Sequence, residues 1–178
     1  MGENFGAQAF GVTPDLLTMA KALTNGAQPM GAVAARQSIY DAIVGAGPAR
    51  GIEFFHGYTY SAHPAACAAA LAMMDILKSE RLIDRARESA PYFAQAVHSL
   101  RDLPGLADIR SCGMLAAVEV VAVGEPGARG HELQKRLYDR GLNVKTTGDS
   151  ILLALPLIAE NRHIDEIVTK LREELRAG

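Results

Sequence analysis

Thr13-Pro14-Asp15-Leu16-Leu17-Thr18-Met19-Ala20-Lys21-Ala22-Leu23-Thr24-Asn25-Gly26 is the stretch on which the fold turns. Thr13-Pro14 opens it and Asn25-Gly26 closes it, so turn-forming residues bracket a short apolar run over 15–20. Its length and punctuation suit a buried strand, although Met, Leu and Ala leave a helical turn open. Lys21, the only lysine in the first 77 residues, follows that run directly, between Ala20 and Ala22. A charged amine is costly to bury, so a lysine in such a place is either displaced to the surface or put to use. Desolvation favours the neutral form of an amine, and a neutral amine is a nucleophile that condenses with an aldehyde. Small neighbours leave room for a flat ring. Spacing alone also leaves open a snorkelling surface lysine at a strand end.

Working outward, Gly31–Ala35 reads as a second short strand, and 36–44 as a short helix with Ile39, Ile43 and Val44 on one face. Glycine is common, 17 of 178 residues. Much of it lies in the first third, where the backbone must bend sharply or approach something closely. The run His56-Gly57-Tyr58-Thr59-Tyr60-Ser61-Ala62-His63-Pro64 packs hydroxyls, two imidazoles and a glycine just before an Ala-rich helix over 64–79 that Pro64 opens. Hydroxyls and backbone N–H groups at a helix start make an anion site; a capped loop with packed tyrosines is the alternative.

The remainder reads as α+β. Leu82, Ile83, Ala86, Ala90, Phe93, Ala94, Val97 and Leu100 recur at spacings of three and four, which predicts a long amphipathic helix over 80–100. A strand over 115–123 and a helix over 131–140 follow. Strands over 142–146 and 151–155 are joined by Thr147-Gly148-Asp149. A closing helix over 162–176 carries a stripe of Ile164, Ile167, Val168, Leu171 and Leu175, with Asn161 as its expected cap. The shift in pattern places a domain boundary near 100–105, giving units 1–100 and 101–178.

Bulk properties narrow the function classes. Hydrophobic residues make up 49% and charged residues 21%, as in ordinary globular proteins. The net charge of −2 gives no electrostatic case for nucleic acid or an anionic membrane as partner. Apolar stretches are too short to span a bilayer, and residues 1–20 lack the pattern of a signal peptide. Cys67 and Cys112 stand far apart, and buried free thiols in a reducing, cytoplasmic setting are expected. The five histidines show no metal-ligand spacing, and no P-loop, G-x-S-x-G or G-x-G-x-x-G occurs.

Taken together, residues 13–26 closely resemble the lysine motif of class III aminotransferases. Residues 56–64 resemble their next signature, and 148–156 their C-terminal strand pair. The resemblance runs in order through essentially the whole chain, and its wording is nearest the ω-amino acid–pyruvate (β-alanine–pyruvate) branch. It implies an α/β fold: part of a fold-type-I transferase dependent on pyridoxal 5′-phosphate, with the remainder of the large-domain sheet and connecting helix over 1–100 and a small α+β C-terminal domain over 101–178. It implies Lys21 as the residue that holds the cofactor as an imine and moves the proton. Thr59 is implied as a phosphate ligand across a dimer interface, with Tyr58 beside it and Gln28-Pro29-Met30-Gly31 as a loop nearby. Amino donors and keto acids are the implied substrates, in a homodimer or homotetramer.

The pattern breaks in two places. The family's phosphate cup, its ring-stacking aromatic and the D-E-V-x-x-G-F-G-R-T-G run with its ring-nitrogen Asp have no counterpart here. A fragment, a truncated gene product or one piece of a split enzyme is therefore expected. Lys145 stands where an arginine usually clamps the substrate carboxylate; it keeps the charge but loses the planar two-pronged geometry, and a solvated edge-strand lysine is its alternative. Decarboxylase, racemase and aminomutase chemistry share the lysine motif. From another class comes a catalytically silent remnant that acts as a dimerising or partner-binding module.

Overall fold

A computed structural model describes residues 1–52 and 54–177. In chain order the elements are α1 (Gly6–Ala9), β1 (Leu16–Ala20), a 3-10 turn (Lys21–Leu23), β2 (Gly31–Ala35), α2 (Gln37–Gly45), α3 (Pro64–Ser79) and α4 (Leu82–His98). They continue with β3 (Leu106–Cys112), β4 (Leu115–Val120), α5 (Ala128–Asp139), β5 (Lys145–Thr147), β6 (Ser150–Ala154) and α6 (Asn161–Ala177). The chain divides into two compact units: residues 10–81, and residues 1–9 together with the chain from Leu82 onward.

The first unit carries β1 and β2 as an antiparallel pair, in register from Leu16 opposite Ala35 to Ala20 opposite Gly31. Arg36 ties the open end of that pair. Its backbone N–H donates to Asp15 O at 3.0 Å, and its guanidinium meets the Asp15 carboxylate at 2.9 Å and Thr13 O at 3.1 Å. The expectation of a buried strand is corrected here: Leu16 is 56% and Val33 64% exposed. The physical reason is the two-stranded sheet itself, which has no covering layer among the described residues; strands as apolar as these are ordinarily covered on their faces. Ala66 and Ala70 of α3 are the buried apolar residues of this unit.

The second unit is built differently. Four antiparallel strands lie in the order β3-β4-β6-β5. Strand alternation sends Ile109, Ala116, Val118, Val120, Ile151 and Leu153 to one face. That face forms one core with Phe93 and Val97 of α4, Leu133 and Leu137 of α5, and Ile164, Val168, Leu171 and Leu175 of α6. The helical stripes expected over 80–100 and 162–176 are thus the faces that are buried. Glu174, itself buried, is held by Arg136 at 3.1 Å and Arg140 at 2.9 Å.

Several details differ from the sequence reading. β3 had no expectation, because Leu106-Ala107-Asp108-Ile109-Arg110 buries only Ile109 fully and alternates weakly. The second hairpin sits further along than 142–146 suggested, because Val144 is core while the ladder to β6 begins at Lys145. Glu160, not Asn161, occupies the cap of α6: its carbonyl accepts from Ile164 N–H, and its own N–H donates to His163 Nδ1 at 3.0 Å. α4 packs its stripe on β3, β4 and α6, which sets the contact division of this chain at Arg81/Leu82. Residues 1–9 join that unit through Arg87, which bonds Gly2 O and the Glu3 carboxylate. Cys112 is exposed and Cys67 half-buried, so the expected burial of both thiols does not hold. Cys112 lies opposite Leu115 on the uncovered face of the sheet.

Candidate active site

Lys21 stands at the end of β1, where the extended chain turns into Lys21–Leu23. Its φ is +54°, a conformation uncommon outside glycine. Backbone strain of this kind persists where the surroundings impose it, and it gathers at functional sites. The side chain is exposed and has no hydrogen-bond or ion-pair partner among the described residues. The turn beneath it is fixed by Thr24, 4% exposed, whose N–H donates to Lys21 O at 3.3 Å and whose hydroxyl donates to Gln28 O at 2.6 Å. Thr24 carried no expectation from the sequence, although a hydroxyl three residues after the lysine and just before Asn25-Gly26 is a signal of a side-chain-closed turn.

Thr59 is the second of five described non-glycine residues at positive φ to fall on an expected site residue; its φ is +44°. Tyr60 N–H donates to Tyr58 O, so Thr59 is the tip of a three-residue γ-turn with an exposed side chain. Tyr58 N–H in turn donates to Ser61 Oγ at 3.3 Å. Tyr58 is 78% exposed and meets His56 edge-on at 4.9 Å between ring centres. His63 precedes α3 without a side-chain cap, and Pro64 is its first residue. The fold packs the Lys21–Leu23 turn against α3, the helix into which the Thr59 loop leads.

Lys145 belongs to the other unit. It is the first residue of the edge strand β5, exposed, and without a side-chain partner among the described residues. The registers set Arg110, Ala117, Leu152 and Lys145 in one row across the uncovered sheet face. These four residues line an open cavity of about 800 Å³. Arg110 is already engaged, donating to Glu119 and Asp108 at 2.7 Å each; those two carboxylates raise its pKa further. Lys145 is therefore the cation of that row with its charge unspent.

Asp149 stands in the turn between β5 and β6. Its carboxylate accepts from Gly127 N–H at 2.9 Å and Gly130 N–H at 3.0 Å, at the start of α5. Those two bonds, Gly127's first, hold its carboxyl below the ordinary aspartate value. Gly130 is required there: a Cβ would collide with the Gly148 carbonyl oxygen.

The chain matches the family Aminotransferase class-III over residues 1–175. It is 47% identical to an omega-aminotransferase of Caulobacter vibrioides, over 98% of this chain and 40% of that protein. It is 41% identical to a beta-alanine–pyruvate aminotransferase of Pseudomonas aeruginosa, again over 98% and 40%. Among solved structures, a thermostable (S)-enantioselective omega-transaminase from Thermomicrobium roseum superposes with a TM-score of 0.89 at 34% identity, covering 99% of this chain and 40% of that one. The chain belongs to the class III aminotransferases, and its fold is the corresponding part of their mixed α/β, fold-type-I architecture. It spans about 40% of the length of these relatives. The family is pyridoxal-phosphate-dependent. No helix of the described residues is long and apolar enough to cross a membrane. The names of these relatives give no support to a catalytically silent, partner-binding role.

Proposed function

We propose that the protein of which this chain is a part, or the whole, transfers an amino group from an ω-amino acid or amine to pyruvate or a similar keto acid. The observation that carries this reading is Lys21: an exposed amine without a partner among the described residues, on a strained backbone at a strand end, inside the family's lysine motif. The residues present fit the cofactor. An amine at Lys21 suits its aldehyde, and the Thr59 hydroxyl, thrown out by a γ-turn beside a helix start, suits its phosphate. When bound, pyridoxal phosphate supplies an aldehyde for the substrate amine and a ring that draws electrons from the adjoining carbon. Lys21 Nζ would hold the cofactor to the chain, and as a free amine it would carry the proton taken from the substrate carbon. Thr59 holds the phosphate, Tyr58 flanks it, and Lys145 attracts the substrate carboxylate.

In the longer relatives' architecture we assign residues 1–100 to the large domain with its connecting helix, and 101–178 to the small domain. The exposed loop carrying Thr59 and Tyr58 favours a homodimer in which that loop serves the neighbouring subunit's cofactor. Two unpaired cysteines favour a cytoplasmic setting. The test is an assay of alanine formation from β-alanine and pyruvate. The wild-type protein should form alanine, and Lys21→Ala should abolish turnover while cofactor still binds without a covalent link. Undiminished turnover by Lys21→Ala would refute the assignment.

A further inference from the structure

Strand β5 is only three residues long and lies at the sheet edge, so β6 alone holds it by ladder bonds. So short an edge strand frays easily. Helix α5 supplies the missing hold at both ends of the hairpin. At the turn, the Asp149 carboxylate is fixed by Gly127 and Gly130. At the strand's start, the Gln134 carboxamide donates from Nε2 to Val144 O at 2.9 Å and accepts from Thr146 Oγ1 at 3.0 Å. These are the two residues that flank Lys145.

We propose that Gln134 is a positioning residue for Lys145, fixing through Val144 and Thr146 where the Lys145 ammonium stands on the open sheet face. The inference rests on the reading of Lys145 as the group that meets the substrate carboxylate. The chemistry of the clamp is selective. Val144 O needs a donor and the Thr146 hydroxyl needs an acceptor, and a primary amide offers both in one planar group. A carboxylate at 134 would set an acceptor against a carbonyl, and a leucine would satisfy neither. Strand alternation does the rest: with Val144 buried and Thr146 turned to α5, Lys145 must point to the opposite face, beside Leu152. A lysine needs this more than an arginine would, because its single ammonium has no planar fork to correct a misplaced backbone.

The probe is propionate, titrated into the 178-residue chain while the backbone amide signals of Lys145 and Leu152 are followed by NMR. The wild-type chain should show a saturable shift that K145A loses. Q134L and T146V, each titrated below its own melting range, should weaken propionate binding by about five-fold, the size expected when one hydrogen bond no longer organises a site. T146S, which keeps the hydroxyl, should bind as wild type does. Wild-type affinity in Q134L and T146V, with binding lost in K145A, would overturn the role of Gln134 and leave Lys145 in place. Undiminished binding by K145A, or no saturable shift in the wild-type chain, would remove the reading of Lys145 and this inference with it.

Discussion

The two units of the chain divide the labour of folding and chemistry unequally. The unit from Leu82 onward owns a core in which Phe93, Val97, Val118, Ile151, Ile164 and Leu171 are fully buried. The unit over residues 10–81 carries Lys21, Tyr58 and Thr59, yet among its described residues buries only small alanines and Thr24. Where burial is deep, hydrophobic transfer sets the structure; where it is shallow, turns, a clamp such as Arg36 and strained single residues do so. The residues proposed for cofactor chemistry therefore stand on the unit that depends less on its own core, and the residue proposed for the substrate carboxylate stands on the self-sufficient one.

This contrast is sharpest in stability. Phe93→Ala should destabilise the chain by about 3–5 kcal/mol, the cost of emptying a fully buried aromatic site. Leu16→Ala, in an exposed strand, should change stability by no more than about 0.5 kcal/mol. Urea denaturation of the two variants beside the wild type measures both, and equal losses would erase the distinction between the units. The exposed Leu16 and Val33 should also make the chain bind a hydrophobic dye, and a monomer without dye binding at high concentration would contradict the open sheet.

Of intermediate size is the effect of Thr59→Ala. It should weaken affinity for pyridoxal phosphate by about 1–3 kcal/mol, as the loss of a hydrogen bond to a charged group does, and leave attachment at Lys21 intact. A mixed dimer joining a Lys21→Ala subunit to a Thr59→Ala subunit reports on sharing. With Thr59 acting across the interface, both lesions fall on one site and the other keeps full cofactor affinity. One defect in each site would show Thr59 acting within its own subunit.

The legible part of the sequence follows the same division. The family, through its lysine motif, and the helical stripes of α4 and α6 are legible because long motifs and 3.6-residue periodicity are local signals. What escaped was long-range. Asp149 reaches back to Gly127 and Gly130, and Gln134 reaches forward to Val144 and Thr146; nothing in the spacing of those residues announces a contact. The expected burial of β1 failed for a related reason: an apolar strand states that it wants cover, not what covers it.

Acid should act on the second unit in a smaller, graded way. Asp108, Asp149 and Glu166 are held below their ordinary values, chiefly by hydrogen bonds from Arg110, from Gly127 and from Lys170. A carboxyl with a depressed folded pKa adds stability above its unfolded value, about 4, and that stability is lost as pH falls through the folded value. Urea midpoints should therefore fall as the pH drops below about 4, the unfolded carboxyl value, towards the depressed folded values. Asp149→Asn should lower the midpoint at pH 7 and flatten the acid slope. An acid slope unchanged in that variant would show that the turn clamp contributes nothing to it.

The central claim is that Lys21 is the amine that holds the cofactor. Incubation of the protein with pyridoxal phosphate, reduction with borohydride and peptide mapping test it most directly. The account predicts the reduced cofactor on the peptide containing Lys21. Label spread evenly over Lys78, Lys135 and Lys170, with no excess at Lys21, would contradict it.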